Sequence, residues 1–196
     1  MRDLVRMVVV LTVICTTSGV VLSYVNKATV APREYQLLKY VQEPSIKAVL
    51  GSFNYDNDPI QDRLEVIVGK DEEGHPLKVT VFPAKKGGKV LGVAYASKAK
   101  GYHDMIEVMV GVGPNAKLSG ISIMSHSETP GLGARITEPQ FTEQFAGLDL
   151  QTAKLTADGG QVDAVSGASY SSRGVVTAVD KALQEFAAIK KEAFKP

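Results

Sequence analysis

Apolar residues follow three patterns along the chain, and each pattern predicts a different kind of element. Residues 4–25 are almost continuously apolar, with Arg6 as their single charge. A helix of this length, rising about 1.5 Å per residue, crosses a hydrocarbon core of about 30 Å. The segment is therefore predicted to be an uncleaved membrane span. The alternative is a signal peptide that is cleaved after the small residues at 29–31. The following Pro32 disfavours cleavage there.

The second pattern is a series of short β-branched runs separated by glycine-rich or polar turns. Five segments have this pattern: residues 64–68, 78–82, 90–96, 106–112 and 118–124. Each is predicted to form a strand. Because the connections between them are short, neighbouring strands are expected to pair in antiparallel fashion.

The third pattern has the period of a helix and lies toward the C-terminus. Residues 139–145 and 171–188 are predicted helices, and the second carries Val175, Val179 and Leu183 on one apolar face. Strands followed by helices are typical of an α+β fold. The predicted architecture is a single N-terminal transmembrane helix followed by a twisted, mainly antiparallel sheet packed with helices.

Between the apolar segment and the first strand, residues 33–50 are predicted to form a juxtamembrane helix that is interrupted at Pro44 and packs on the domain. Residues 52–59 are polar and are interpreted as a solvated loop; their acidic and amide side chains suggest calcium, but the loop lacks the glycine and the glutamate of an EF-hand. The predicted division is a transmembrane anchor at residues 1–26, a juxtamembrane helix and linker at 27–59, and a domain at 60–196.

Charge and cysteine content exclude several classes of function. The 196 residues include 22 Lys and Arg against 21 Asp and Glu, so the net charge of +1 offers no electrostatic basis for nucleic-acid binding. The single cysteine, Cys15, lies in the apolar segment and cannot form a disulfide within the chain or a cysteine-ligated metal site. The three histidines, His75, His103 and His126, follow no zinc pattern. Redox chemistry would therefore need an organic cofactor or a partner.

Two short motifs are the candidates for such chemistry. The first, residues 126–133, has the sequence His-Ser-Glu-Thr-Pro-Gly-Leu-Gly and follows the last predicted strand; we call it the glutamate loop. The second, residues 163–169, has the sequence Asp-Ala-Val-Ser-Gly-Ala-Ser and is called the serine loop. Gly167 and Ala168 leave the backbone uncovered, and Ser169 presents a hydroxyl that can accept a phosphoester. The same residues also make an ordinary loop and helix N-cap.

Together with the pair Gly101-Tyr102, these motifs resemble the FMN-binding domain shared by the G subunit of the Rnf complex and the C subunit of the sodium-pumping NADH:quinone oxidoreductase. The resemblance spans about residues 92–188. It implies that FMN is joined through its phosphate to Ser169, where the family usually has threonine. It also implies two groups of flanking cofactor-binding residues. Those around the attachment site are Asp163, Ser166, Gly167 and Ala168; those near the isoalloxazine ring are Glu128, Thr129, Leu132 and Gly133.

In this interpretation Asp163 belongs to the pattern that a flavin transferase recognises. Arg173, one helical turn after Ser169, is our own candidate for supporting the charge of the phosphate. The chain carries no recognisable nucleophile–base pair and no dinucleotide-binding glycine fingerprint. An electron relay without a catalytic site of its own is therefore expected, and no metal site.

The resemblance further implies a subunit of a membrane complex that couples ferredoxin:NAD electron transfer to the translocation of sodium ions or protons. The implied partners are the other membrane subunits, including a second subunit with covalently bound FMN. Charges flanking the apolar segment are balanced, so the expected extracytoplasmic (periplasmic) location of the domain at the inner membrane comes from the resemblance. Two alternatives remain: the C subunit of the quinone reductase, and a membrane-anchored regulatory module with Ser169 unmodified.

Overall fold

The computed structural model describes residues 1–37, 40, 42–70 and 74–194. The chain divides into two compact units, residues 1–40 and residues 41–196. The first unit is the helix α1 (Arg2–Leu37). Within the described residues, α1 alone is long and apolar enough to cross a membrane, over Arg2–Thr29. This agrees with the predicted span at residues 4–25, although the helix continues well past its apolar part.

The second unit contains one five-stranded sheet in which every strand pairs with its neighbour in sequence. The strands are β1 (Leu64–Lys70), β2 (Pro76–Lys86), β3 (Lys89–Lys100), β4 (Met105–Val112) and β5 (Leu118–Ser125). Their order in the sheet is β1-β2-β3-β4-β5, and all four pairings are antiparallel. The predicted α+β fold and its five strands are therefore confirmed.

Among the described residues of this unit there are three α-helices: α2 (Glu43–Leu50), α3 (Pro139–Thr142) and α4 (Ser169–Ala193). The predicted helix at residues 139–145 is α3 followed by a 3-10 turn, Glu143–Phe145. The long helix α4 packs on β1, β3 and β4 and buries Val175, Val179 and Phe186 in the core. Tyr95 of β3 is fully buried, and its hydroxyl donates a hydrogen bond to the carbonyl of Ala182 at 2.7 Å.

The helix α2, which lies in the predicted juxtamembrane segment, packs on β3, β4 and β5. Its residues Ile46, Val49 and Leu50 are almost completely buried. The hydroxyl of Ser119 in β5 donates to the carbonyl of Val49 at 2.5 Å. Pro44 lies in the first turn of α2, where its missing N–H costs nothing, and so starts the helix instead of interrupting it. Residues 38, 39 and 41 of the predicted juxtamembrane segment lie outside the described residues.

The segment 52–59, interpreted from the sequence as a solvated linker, is hydrogen-bonded to the open edge of β2. Strand β1 begins opposite Val81, so the later backbone groups of β2 have no strand partner on that side. Asn57 fills this place, since its side chain accepts from the N–H of Lys85 at 2.7 Å and donates to the carbonyl of Pro83 at 2.9 Å. Hydrogen bonds from Lys85 and Asn57 lower the pKa of the Asp62 carboxyl beside them. The compact unit thus includes this segment and begins well before residue 60.

Replacing Tyr95 by phenylalanine is expected to lower the free energy of unfolding by about 1 kcal/mol, the usual net contribution of one hydrogen bond. Burial, followed by the charge of Glu185, raises the pKa of the Tyr95 hydroxyl. The folded protein therefore keeps this proton at pH values where the unfolded chain releases it. The contribution is complete below the unfolded pKa of about 10 and declines as the pH rises above it.

Chemical denaturation of the full-length protein in detergent, at about pH 7 and about pH 11, measures this difference. The exposed Tyr102 supplies the control, because Tyr102→Phe removes a hydroxyl that is in water. A difference between wild type and Tyr95→Phe that is as large at the higher pH as at neutral pH would contradict the expectation.

Candidate functional site

The carboxylate of Glu128 joins three segments that are distant in sequence. The side chain is only 4% exposed. Its Oε1 accepts hydrogen bonds from the backbone N–H groups of Tyr102 at 2.9 Å and His103 at 3.3 Å, and its Oε2 accepts from the hydroxyl of Ser171 at 2.5 Å. The glutamate loop, the turn at residues 101–104 and the first turn of α4 therefore meet at one buried acid.

The packing around Glu128 leaves no room for side chains at two glycines. A Cβ atom on Gly101 would overlap Oε1 of Glu128, and one on Gly133 would lie 2.8 Å from the hydroxyl oxygen of Ser171. Real Cβ atoms essentially never make such contacts. Gly133 is thus required by close packing against the polar cluster.

The glutamate loop divides into residues that face the interior and residues that face solvent. Glu128 and Gly133 are buried, whereas Thr129 is half-buried and Leu132 is 46% exposed. The carbonyl of Thr129 accepts from the N–H groups of Leu132 at 3.2 Å and Ala134 at 3.1 Å, which closes the loop. Its hydroxyl lies 3.2 Å from Nε2 of His103. Of the four residues predicted to lie near a flavin ring, Thr129 and Leu132 are the two open to a ligand.

The exposed hydroxyl of Ser169 lies on the first residue of α4. The first hydrogen bond of the helix runs from the N–H of Ser172 to the carbonyl of Ala168 at 2.9 Å, and no side chain in the described part of the chain caps this end. The N–H groups of residues 169–171 therefore have no partner within the helix. Such groups, together with the helix dipole, favour an anion at this position.

The two serines that follow are buried and already hydrogen-bonded. Ser171 donates to Glu128, as described above. Ser172 donates to the carbonyl of Ala168 at 3.0 Å and accepts from the N–H of Val165 at 3.0 Å, which bends the serine loop around its side chain. Both are at most 2% exposed, whereas Ser166 and Ser169 are exposed. Only the latter two can present a hydroxyl to another molecule.

The serine loop contacts the glutamate loop through Leu132. Gly167 has φ of 78°, a left-handed conformation that favours glycine, and a Cβ atom there would lie 2.9 Å from Cδ1 of Leu132. At the other end of the loop, the side-chain amide of Gln144 accepts from the N–H of Asp163 at 2.7 Å and donates to its carbonyl at 3.3 Å. The carboxylate of Asp163 is left exposed.

Two exposed tyrosines lie next to these loops. Tyr102 is 61% exposed and Tyr170 is 72% exposed, and their ring centroids are 6.0 Å apart. Since Tyr170 directly follows Ser169, this serine adjoins an exposed aromatic surface. Arg173, our sequence candidate for a phosphate contact, instead forms an ion pair with Asp158 at 2.9 Å. The described residues contain no group of three or more side chains that could hold a metal ion.

The structure brings the nine predicted site residues into two adjoining loops. Four residues next to these loops lie outside the two sequence motifs: Tyr170, Ser171, Ser172 and Gln144. The serines lie two and three residues after Ser169, and their short hydroxyl side chains at the start of a predicted helix are the signal that could have identified them. Gln144 lies 19 residues before Asp163, and no local pattern marks it.

Comparisons with known proteins show the family of the chain. Residues 101–184 match the family model described as the FMN-binding domain. The G subunit of the ion-translocating oxidoreductase complex of Methanosarcina acetivorans is 32% identical over 186 residues, which cover 93% of this chain and 94% of that protein. The G subunit of the proton-translocating ferredoxin:NAD(+) oxidoreductase complex of Clostridium ljungdahlii is 27% identical, over 89% of this chain and 87% of that protein.

Among solved structures, NqrC of Shewanella oneidensis has a similar fold, with a TM-score of 0.61 and 20% identity over 84% of this chain and 99% of that one. At this identity the likeness concerns the fold alone. The sequence relatives are more specific, because the first matches nearly the full length of both proteins. The chain belongs to the family of G subunits of ion-translocating oxidoreductase complexes and contains the FMN-binding domain of that family.

Proposed function

We propose that this protein carries FMN joined through its phosphate to Ser169 and relays electrons within a membrane-bound, ion-translocating oxidoreductase complex. The observation that carries the proposal is the placement of Ser169. It is an exposed hydroxyl at the N-terminus of α4, in a loop that matches the attachment motif. FMN supplies one- and two-electron exchange, and the protein holds and orients it.

The residues around Ser169 fit a phosphate diester. The N–H groups of residues 169–171 point out of the helix end, where they stabilise negative charge. Gly167 has no side chain to obstruct an approach to this hydroxyl, and Ser171 and Ser172 are engaged elsewhere. No arginine is required in this arrangement, which is consistent with the pairing of Arg173 and Asp158.

Attachment requires an activated donor, because a phosphate monoester does not esterify a serine unaided. We propose as donor a flavin whose phosphate is joined to a nucleotide by an anhydride bond, used by a separate flavin transferase. A bond forms between Oγ of Ser169 and the phosphorus, the anhydride bond breaks, and the nucleoside monophosphate leaves. The serine proton passes to a base of the transferase. Asp163, Ser166, Gly167 and Ala168 form the segment that this enzyme recognises.

The exposed residues beside Ser169 are suited to a planar, largely apolar ring. Leu132 and Thr129 offer apolar contact and a hydroxyl, and Tyr102 and Tyr170 add exposed aromatic surface. Glu128 and Gly133 support the ring indirectly, since they fix the loop that carries Thr129 and Leu132. The protein therefore orients the flavin with exposed side chains whose loop is fixed by the buried residues Glu128 and Gly133, here called the buried frame.

The relatives supply the wider setting of the proposal. The name of the Clostridium ljungdahlii relative describes a proton-translocating ferredoxin:NAD(+) oxidoreductase complex. We propose that this chain serves in a complex of that kind, coupled to sodium ions or protons, alongside a second subunit with covalent FMN. We also propose that α1 anchors it in the membrane with the domain of residues 41–196 on the extracytoplasmic side.

Replacing Ser169 by alanine is expected to abolish covalent flavin completely, because the only proposed acceptor oxygen is removed. The measurements are in-gel flavin fluorescence after denaturation and intact-protein mass, for protein produced together with an active flavin transferase. Ser169→Thr should keep the flavin, since the hydroxyl remains. Ser166→Ala is the matched control, because it removes the other exposed hydroxyl of the loop. Fluorescence that survives in Ser169→Ala would refute the attachment site, and an unmodified wild type would favour a regulatory module.

Replacing Leu132 by alanine is expected to leave the covalent flavin in place but to change the environment of its ring. The phosphate end is held at Ser169, so the lost apolar contact affects only the visible absorbance and the fluorescence of the folded protein. Leu77→Ala is a suitable control, because Leu77 is similarly exposed at 43% and lies in β2. Unchanged spectra in Leu132→Ala would place the ring elsewhere.

The topology can be tested by cysteine labelling, because Cys15 is the only native cysteine. In a Cys15→Ser background, Gln161→Cys should react with a membrane-impermeant maleimide added to intact cells whose outer barrier is permeable. Asp3→Cys should react only after the cells are lysed, since it lies at the other end of the apolar span. The opposite labelling pattern would place the domain in the cytoplasm. Resistance of the protein to alkaline carbonate extraction checks the anchor itself.

A further inference from the structure

We infer that Gln144 is a positioning residue for flavin attachment: it holds the start of the serine loop in the conformation that the modifying enzyme recognises. This inference rests on the function proposed above. Gln144 lies in the 3-10 turn Glu143–Phe145, outside both sequence motifs. Its side-chain carbonyl oxygen accepts from the N–H of Asp163 at 2.7 Å, and its amide nitrogen donates to the carbonyl of Asp163 at 3.3 Å.

The two hydrogen bonds replace those that a neighbouring strand would make. Val162 is the last residue before the loop with such a partner, in a short parallel bridge to Leu155. Asp163 follows directly, and the backbone groups of Val165 and Ala168 are bonded to the buried hydroxyl of Ser172. The loop is therefore held at its start by Gln144 and at its end by α4.

We call the two hydrogen bonds between Gln144 and Asp163 the clamp. The clamp involves only backbone groups of the serine loop, so the side chains of the loop remain free to contact another protein. Asp163 and Ser166 are both exposed. Together with Gln144, Arg135 and Glu138 they border a depression of about 170 Å³ along the first part of the serine loop. A modifying enzyme thus meets an exposed segment whose backbone is already ordered.

Ordering of this kind affects binding of the protein substrate more than the chemical step. An unclamped loop has to lose conformational freedom when it docks, which weakens docking, whereas Ser169 stays on α4 in either case. Loss of the clamp should therefore raise the KM for the acceptor protein. We expect an increase of about tenfold, with kcat changed by less than about twofold.

The test uses Gln144→Ala and Gln144→Met in the full-length protein; methionine keeps the length of the side chain but forms neither hydrogen bond. Covalent flavin uptake is measured as in-gel fluorescence with purified transferase and a flavin dinucleotide, over a range of acceptor concentrations. Hydrogen exchange of the Asp163 amide is followed in the unmodified protein. Both variants should show the raised KM and faster exchange, with melting temperatures close to that of the wild type.

Gln140→Ala is the matched control, because it removes an exposed glutamine from the preceding helix turn and leaves intact the Gln140 carbonyl that also accepts from Gln144. A wild-type KM in Gln144→Met, or the same increase in Gln140→Ala, would overturn the role of Gln144. Ser169→Ala separates this result from failure of the proposed function. If wild type takes up flavin and Ser169→Ala does not, a negative result concerns Gln144 alone. If wild type takes up none, both proposals fail.

Discussion

The buried carboxylate of Glu128 is the interaction on which the site depends. A carboxylate withdrawn from water is costly unless hydrogen bonds replace its solvation. Here the donors are the backbone of Tyr102 and His103 and the hydroxyl of Ser171. Because these donors come from two other segments, the position of the glutamate loop cannot change without leaving polar groups unpaired in all three. The site is therefore shaped by the protein before any ligand binds.

Helix α4 extends this order to Ser169, the proposed attachment position. Most of its length is fixed by the sheet, through the buried residues from Val175 onward and through the hydrogen bond between Tyr95 and Ala182. Its first turn adds Ser171 and Ser172, which are tied to the glutamate loop and the serine loop. Ser169 thus stands at the open end of a rigid element and not on a free loop. Sites on such elements hold a ligand more precisely than sites on loops.

The sequence predicted the sheet well because its signals are local. Five β-branched runs with turns between them leave few alternatives to an antiparallel meander, and the apolar stripe of α4 is regular. It did not predict the hydrogen bonds between the segment 52–59 and β2, because these depend on partners that are distant in sequence. The polar side chain of Asn57 is typical of a solvated loop until Pro83 and Lys85 of β2 supply its hydrogen bonds. Pro44 is typical of a break within a helix, but in the structure it lies in the first turn of α2.

The distinction between local signals and distant contacts also explains how much of the site the sequence could predict. The two motifs identified the residues of both loops, but a motif does not tell a residue that contacts a ligand from one that holds the loop. Glu128 and Gly133 are buried, whereas Leu132 and Ser169 are exposed. Gln144 was missed because its only signal is a pair of hydrogen bonds across 19 residues.

This division between a buried frame and exposed ligand contacts also bears on the serine found at position 169. Its side chain is exposed and does not cap α4, so the buried residues around it neither require nor exclude the methyl group that threonine would add. Serine and threonine therefore differ in how the hydroxyl is presented to a donor, and not in how the loop is built.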